Sequence, residues 1–333
     1  MIELDTRGRP WADRNLQDAV EKGHGATITD TIKQLRTFLN LPEQHRIIIC
    51  SSHEEAVSTA INGRVFEKRE RALWDIAGPA FMRGSLKSLQ HSGWDIEKAH
   101  WKLQDGNEFS ALQIWNQETG KMHPSASRKG PSNLDLGIAL FGNIKPNWNL
   151  NNSTWTIPGW SFGGPISSGI LITPPEVLIR PIIHGSEQNG YRGGRIDEIL
   201  LWRLSASINN RERWPDSALR STALSKLISE LELEGANTLT YPTEEMPAAV
   251  IHWPGIRANA IAQACKSRGV FFSVADACTS TKNDGSAGWK ALGKNEQAYE
   301  AILFTPDKII SQEERKKIVK ILVQSIGKLR TLK

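Results

Sequence analysis

The chain contains little cysteine and no long uninterrupted apolar run. Three cysteines occur among the 333 residues, Cys50, Cys265 and Cys278, and none belongs to a CxxC pair. Their odd number and wide separation favour reduced thiols over a disulfide framework, and the scattered histidines predict no metal site. No apolar run is long enough to cross a bilayer and the N-terminus lacks the apolar region of a signal peptide, so we expect a cytoplasmic protein without a membrane segment.

Lysine is missing from a long internal stretch. None occurs between Lys145 and Lys226, and this stretch contains the segment 158–165, PGWSFGGP, with Ser161 at its centre. An imine with an aldehyde cofactor requires an amine, and a serine hydroxyl cannot form one. Chemistry that depends on an imine is therefore excluded at Ser161.

The positive charge is confined to the end of the chain. The formal net charge is +5, and residues 313–333 contain seven Lys or Arg and two Glu, which accounts for all of it. A basic last helix is typical of a solvated helix face. We therefore do not expect nucleic acid as a partner.

Strand and helix patterns alternate over the first two thirds of the chain. An amphipathic helix over 26–40 precedes the β-branched run 47–50, and Ser52 and Glu55 have capping-box spacing before a helix over 54–61. Further strands are predicted over 111–115, 134–140 and 169–173, and further helices over 196–208 and 216–233. This alternation predicts an α/β domain with a mainly parallel sheet.

The pattern changes after residue 235. Strands are predicted over 248–252, 270–274 and 300–304, and helices over 257–268 and 312–326. These shorter and less regular alternations predict a smaller α+β unit.

Eight short segments, among them 158–165 (PGWSFGGP) and 116–120 (NQETG), follow one another along most of the chain. In sequence and in order they resemble segments of the cysteine desulfurases of the NifS and IscS type. These enzymes belong to the class V aminotransferase branch of fold type I of the pyridoxal phosphate (PLP) enzymes. The segment 158–165 resembles their lysine loop, and 116–120, NQETG, resembles their Asn-Asn-Glu-Thr-Gly segment. The other similar segments are 2–5, 47–61, 183–185, 190–194, 277–280 and 290–293.

The resemblance implies both a fold and a division into domains. The fold is the PLP-dependent transferase fold type I, with a mainly parallel seven-stranded sheet in a large α/β domain and a small C-terminal α+β domain. We expect the large domain over residues 14–235 and the small domain over residues 1–13 and 236–333.

The positions that hold PLP in the family have changed in this chain. Ser161 stands where the family has the Schiff-base lysine, and Ser51 and Ser52 open a phosphate cup in which Glu54 replaces a threonine. A carboxylate there opposes a phosphate by charge repulsion. The other altered positions are Gly78 for the stacking histidine, Ile138 for a glutamine, Arg195 for a threonine and Leu303 for the substrate arginine.

A few family residues are retained. The resemblance places Asp135 against a pyridinium nitrogen, so without PLP this carboxylate requires another donor or solvent. Asn116, Ser51 and Ser52 complete a vestigial cleft, and the sequence leaves open whether Arg192 binds an anion or contacts a second subunit. We further expect bulky side chains such as Trp160 to occupy the vacated volume.

Cys278 aligns with the cysteine that accepts sulfur as a persulfide in the family. It is a candidate persulfide site, with an inert thiol as the alternative.

The resemblance and the changes together predict a catalytically degenerate desulfurase homologue without covalent PLP. We expect it to act through protein contacts in sulfur metabolism or a related assembly. The expected partners are a second copy, an active desulfurase-like subunit or a sulfur-acceptor protein. The alternatives are a PLP-independent persulfide carrier that uses Cys278, and an enzyme that holds PLP or another anion non-covalently, with Arg192 and Arg195.

Overall fold

Thirteen strands and nine helices are defined in the described part of the chain. A computed structural model describes residues 2–3, 27–67, 71–99, 103, 105–125, 127, 129–142, 144, 146–150, 152–211, 214–275 and 285–331. Its strands are β1 (Ile2–Glu3), β2 (Arg46–Cys50), β3 (Arg71–Asp75), β4 (Asp95–Ala99), β5 (Phe109–Gln113), β6 (Ser132–Asp135), β7 (Ser153–Pro158), β8 (Gly169–Thr173), β9 (Asn237–Thr240), β10 (Ala249–His252), β11 (Val270–Phe271), β12 (Ser273–Val274) and β13 (Ile302–Phe304).

A seven-stranded sheet carries the larger part of the fold. Its strand order is β2-β8-β7-β6-β5-β3-β4. Only β8 runs antiparallel to its two neighbours, and the other strands are mutually parallel. All residues of β5, β6, β7 and β8 are buried, as expected for central strands covered on both faces. The predicted α/β class with a mainly parallel seven-stranded sheet is confirmed.

Six of the nine helices lie close to predicted helices, and three, which span 80–91, 287–291 and 297–300, were not predicted. The helices are α1 (Ile28–Leu39), α2 (His53–Asn62), α3 (Ala80–His91), α4 (Glu198–Arg211), α5 (Ser217–Leu233), α6 (Ala258–Lys266), α7 (Ala287–Ala291), α8 (Gln297–Glu300) and α9 (Gln312–Thr331). Thr27 caps α1 by accepting a hydrogen bond from the Asp30 N–H, and Asn40 ends it in the left-handed conformation. Among these helices, none combines the length and the apolar content that a bilayer crossing requires.

The C-terminal part contains a second, smaller sheet. Its strand order is β12-β13-β10-β9, and all pairs are antiparallel. β1 pairs in parallel with β11, so the start of the chain lies beside the C-terminal part. A separate apolar core, which includes Leu227, Trp253 and Leu322, joins α5, α6 and α9 to this sheet. The precise domain boundaries stay a prediction.

Two predicted strands are wrong in extent. The strand predicted over 134–140 ends at Asp135, because the backbone turns at Gly137 with φ +54° and continues into a 3₁₀ turn over Ala139–Phe141. A side chain at Gly137 would meet the Trp115 carbonyl oxygen at 2.2 Å. The strand predicted over 270–274 is divided between two sheets, since β11 pairs with β1 while β12 pairs with β13.

The outer edge of β2 is closed by a side chain. The Gln188 amide accepts a hydrogen bond from the Ile49 N–H and donates one to the Ile49 carbonyl oxygen, both at 2.8 Å. Gln188 and Asn189 have φ of +48° and +58°, an uncommon conformation for two successive residues that are not glycine. The amide thus occupies the position of one residue of an eighth strand.

Candidate functional site

Four buried side chains meet at the carboxyl end of β6. Asp135 is the last residue of β6 and is fully buried. The sheet register places Gln113 of β5 and Thr156 of β7 directly beside it. Thr156 Oγ1 donates to Asp135 Oδ1 at 3.1 Å, and Gln113 Nε2 donates to Oδ2 at 2.7 Å. The fourth side chain, His53, places its Nε2 at 2.7 Å from Oδ1. The carboxylate is therefore satisfied inside the protein.

His53 reaches Asp135 from the first position of α2. Ser52 caps this helix by accepting a hydrogen bond from the Glu55 N–H, which confirms the predicted cap. The imidazole is buried and packs edge-on against Phe81, with ring centroids 4.8 Å apart. Because Asp135 accepts from Thr156 and also faces His53, the Nε2–H tautomer of the imidazole fits this contact. His53 is a site residue that the sequence did not predict.

The predicted phosphate cup is occupied by an ion pair between the buried Arg192 and the largely covered Glu55. Arg192 Nε donates to Glu55 Oε1 at 2.6 Å, and its other nitrogens donate to the Ser51 hydroxyl and the Gly194 carbonyl oxygen. Glu55 Oε2 also accepts the Ser51 N–H at 2.8 Å. The cationic group that the sequence offered to an external anion thus has an internal partner. The carboxylate that faces the cup is Glu55, whereas Glu54, to which the sequence assigned this effect, is exposed.

Ser161 lies in a 3₁₀ turn directly after β7. The turn runs over Gly159–Phe162, and the fully buried Ser161 hydroxyl donates to the Pro158 carbonyl oxygen at 2.7 Å. The neighbouring Trp160 is half-buried and packs against the main apolar core. The hydroxyl therefore closes a local turn, with its proton engaged by the backbone.

Asn116 organises the turn that follows β5. Its Nδ2 donates to the Ala77 carbonyl oxygen at 2.9 Å, and its Oδ1 accepts the N–H groups of Glu118 and Thr119, both at 2.9 Å. The Glu118 carboxylate accepts from the Ser286 hydroxyl and from the Gly288 N–H, so it links this turn to the start of α7. Asn116, predicted as a cofactor contact, is thus committed to backbone groups.

A second buried pair lies near this turn. Asp75 Oδ1 accepts the Ala77 N–H at 2.8 Å, and Asp75 Oδ2 lies 3.7 Å from His123 Nε2. Burial raises the pKa of Asp75 to about 7 and lowers the pKa of His123 to about 4. Between these values the protonated carboxyl and the neutral imidazole are the favoured forms. This pair was not predicted, because its two members lie 48 positions apart along the chain.

The remaining predicted positions do not join the cleft as polar groups. Ile138 and Leu303 are buried in the main apolar core, and Arg195 is exposed. Cys278 lies outside the described residues, so its role stays a prediction. Burial raises the pKa of the Cys50 thiol and of the Cys265 thiol, which disfavours a reactive thiolate at either residue. Among the described residues no group of three or more metal-ligating side chains is present.

A cavity of about 740 Å³ lies away from these side chains. It is lined by α1, the segment after β6, the end of α4 and the start of α5, with Phe38, Trp214 and Arg220 among its walls. Arg220 donates to the carbonyl oxygens of Phe141 and Pro215. None of the predicted site residues that the structure describes lines this cavity.

The fold is shared with solved structures of NifS-like proteins and cysteine desulfurases. One NifS-like protein matches with a TM-score of 0.79 at 17% identity, covering 98% of this chain and 99% of its own. A NifS-like protein from Rickettsia africae matches with a TM-score of 0.76 at 14% identity, over 98% of this chain and 99% of its own. The cysteine desulfurase CsdA of Escherichia coli, in an S-sulfonic acid form, matches with 0.72 at 12% identity, over 99% and 94%. Neither a protein-family model nor a curated protein matches the chain. These likenesses establish the fold, and the predicted PLP-dependent transferase fold type I is confirmed.

The side chains of Ser161, Asp135 and the predicted phosphate cup do not fit PLP. An aldimine requires an amine, and Ser161 has only a buried hydroxyl bonded to the backbone. A pyridine nitrogen requires a free acceptor at Asp135, where His53 already lies at 2.7 Å. A phosphate requires free hydrogen-bond donors in the cup. Here the Arg192 guanidinium and the Ser51 N–H both donate to the Glu55 carboxylate, whose negative charge also repels a phosphate.

Proposed function

We propose that this chain is a catalytically degenerate relative of the cysteine desulfurases that acts in the cytoplasm through protein contacts in sulfur metabolism. The observation that carries the proposal is the buried hydroxyl of Ser161, bonded to the Pro158 carbonyl oxygen where the family has its Schiff-base lysine. The absence of an amine there removes the covalent step on which desulfuration by the family depends. The internal pairs at Asp135 and Arg192 further support it.

Spectroscopy and a sulfide assay test the loss of activity. We expect purified protein incubated with excess PLP and cysteine to develop no visible aldimine band and to release neither sulfide nor alanine above the rate of free PLP. A Ser161→Lys variant is the matched control, since it restores only the amine. It too should form no stable aldimine, because Glu55 and His53 still oppose the cofactor. An aldimine band with sulfide release by the wild-type protein would overturn the proposal.

The protein-contact role requires a separate test. Candidate partners are a second copy of the chain, an active desulfurase-like subunit and a sulfur-acceptor protein. Mass measurements in solution, alone and after mixing with an active desulfurase, distinguish self-association from a mixed complex. A changed sulfide-release rate of the active enzyme on mixing supports the role, and a monomer that leaves that enzyme unchanged contradicts it.

The anion-binding alternative is less well supported by the geometry. Arg192 is 6% exposed and its guanidinium bonds Glu55, Ser51 and Gly194. An external phosphate would have to displace Glu55 from this pair. Thermal unfolding with and without excess inorganic phosphate or PLP tests this alternative, and we expect no stabilisation at either ligand.

The persulfide-carrier alternative remains attached to Cys278. The two described thiols, Cys50 and Cys265, are both buried, so they do not compete for this role. Mass spectrometry after incubation with an active desulfurase and cysteine detects a persulfide as one added sulfur atom. A Cys278→Ser variant is the control, and the absence of added sulfur on the wild-type protein excludes the carrier function.

A further inference from the structure

We infer that His53 is a built-in ligand that fills a latent heterocycle-binding site at Asp135, and that removing its side chain opens this site to small N–H heterocycles such as imidazole. The inference deepens the proposed function and rests on it in one respect, that no cofactor ring occupies Asp135. It replaces the expectation that bulky tryptophans fill the vacated volume. The filling group is instead one imidazole bonded to the carboxylate.

The Asp135 carboxylate is held in its orientation by groups other than His53. Asp135 is fixed at the end of a central strand and accepts hydrogen bonds from Thr156 and Gln113, which lie beside it in the sheet register. Gln113 is itself held, because its Oε1 accepts the Gln117 N–H at 3.0 Å. Loss of the imidazole therefore leaves an oriented carboxylate oxygen with one donor fewer. Such a buried acceptor is costly to leave incompletely satisfied, and a ligand N–H relieves that cost.

The apolar side of the site is formed by Phe81. Its ring meets the His53 imidazole edge-on, at 4.8 Å between centroids and 65° between planes. This contact selects a planar aromatic ring over a flexible chain. Removal of the imidazole leaves a space of its own shape, with a carboxylate on one side and an aromatic ring on the other.

The backbone of His53 is held from behind by β8. A Cβ built on Gly169 would lie 2.7 Å from the His53 Cα atom and 2.3 Å from the Ser52 carbonyl oxygen. The start of α2 therefore packs directly on the backbone of the sheet. The Ser52 cap and the Glu55 contact to the Ser51 N–H hold the same turn. Because this support does not involve the imidazole, the helix start can persist when the side chain is shortened.

Chemical rescue tests the inference directly. We expect His53→Ala to unfold at a lower temperature than the wild-type protein, and added imidazole to raise that temperature in a saturable manner. Imidazole should leave the wild-type protein unchanged, and thiophene, which has a similar ring without an N–H, should not rescue the variant. The double variant His53→Ala/Asp135→Asn should lose at least tenfold in imidazole affinity.

His45 offers a matched control elsewhere in the large sheet's core. It is also buried, but its Nε2 lies 3.2 Å from a neutral acceptor, the Trp148 carbonyl oxygen. We expect imidazole to bind at least tenfold more weakly to His45→Ala than to His53→Ala, because charge-assisted hydrogen bonds are the stronger kind. Equal rescue of both variants, or no rescue of a folded His53→Ala, overturns the inference.

A measurement on the wild-type protein decides the case in which His53→Ala does not fold. Nitrogen-15 spectra of labelled histidine should show a His53 Nε2–H that exchanges slowly with solvent and is lost in Asp135→Asn. A rapidly exchanging or unbonded Nε2 overturns the inference. Failure here is distinguishable from failure of the proposed function, since sulfide release and an aldimine band are independent of both the rescue and the histidine spectrum.

Discussion

The carboxyl end of β6 and the cavity beside α1 differ in how they treat polar groups. At β6, the side chains of Asp135, His53 and Gln113 are buried and bond one another. At the cavity, Lys33 and Thr37 are exposed and border about 740 Å³ of open space. The comparison teaches that the polar side chains at the end of β6 belong to the buried core and satisfy one another, while the described open space lies beside α1.

Breaking the ion pair between Arg192 and Glu55, next to the filled region, should have the largest effect on stability. Arg192→Leu leaves the Glu55 carboxylate, whose side chain is only 11% exposed, without its cation, and we expect a loss of about 3 kcal/mol in the free energy of unfolding. Urea unfolding measures this loss. The matched control is Lys308→Ala, which removes an exposed pair with Glu314 and should cost less than about 1 kcal/mol. If Arg192→Leu and Lys308→Ala lowered the free energy of unfolding equally, the Arg192–Glu55 pair would behave as a solvent-exposed ion pair.

A steric clash with the start of α2 should cause the second largest loss of stability. Gly169→Ala places a Cβ 2.3 Å from the Ser52 carbonyl oxygen, and we expect it to cost about 1–3 kcal/mol by overpacking. Gly327→Ala is the control, because no atom lies within 4 Å of its added Cβ in α9. That change should stabilise the protein by about 0.5–1 kcal/mol. A neutral Gly169→Ala in urea unfolding would contradict the tight contact between β8 and α2.

The Asp75–His123 pair should make stability depend on pH only when one of the two side chains is replaced. The pKa of His123 falls from 6.5 to about 4, so its contribution to stability is present above pH 6.5 and lost as the pH falls towards 4. The pKa of Asp75 rises from 3.8 to about 7, so its contribution is present below pH 3.8 and lost as the pH rises towards 7. In the wild-type protein the two dependences oppose each other and largely cancel between about pH 4 and 6.5.

The single variants should therefore have opposite pH dependences. Over this window the unfolding free energy of Asp75→Asn should rise with pH relative to wild type, by up to about 1.4 kcal/mol per pH unit, and that of His123→Gln should fall by a similar amount. Urea unfolding at several pH values measures both slopes. Parallel curves for the three proteins would show that neither group changes its pKa on folding.

A substitution in the cavity wall should have the smallest effect. Thr37 is exposed, and its hydroxyl bonds only the Lys33 carbonyl oxygen of the same helix among the described contacts. Thr37→Leu extends into open space, so we expect a change within about 0.5 kcal/mol. A loss comparable to that of Gly169→Ala would erase the contrast between the filled and the open region.

The predicted elements were accurate where apolar periodicity was strong. The predicted helix over 26–40 is observed as Ile28–Leu39, and the predicted strand over 169–173 is observed as Gly169–Thr173. The strand Ser153–Pro158 was missed because its buried side chains include Ser153 and Thr154, which bond polar groups of β6. Strands β3, β4 and β9 and the helices α3, α7 and α8 were missed as well.

The candidate site was predicted only in part. The resemblance assigned Ser161 and Asp135 to one cofactor cleft, and the structure has Asp135 at the end of β6 and Ser161 in the turn after the neighbouring strand β7. The assignment of Glu54 to the cup was wrong by one residue, and successive residues on a helix point about 100° apart. His53 was missed because its function depends on contacts with Asp135 and Phe81, which are distant in sequence.

The Gln188 amide at the edge of β2 also limits what the sheet can recruit. Ile47, Ile48 and Ile49 form a β-branched run of the kind that promotes intermolecular strand addition when its edge is free. The amide bonds the N–H and the carbonyl oxygen of Ile49, so these two groups are not available to an incoming strand. Gln188→Glu would replace the amide nitrogen, which donates, by an oxygen that cannot donate. The Ile49 carbonyl oxygen would then be available to a strand from another molecule. We therefore expect the Gln188 amide to hinder the addition of a further strand at the edge of β2.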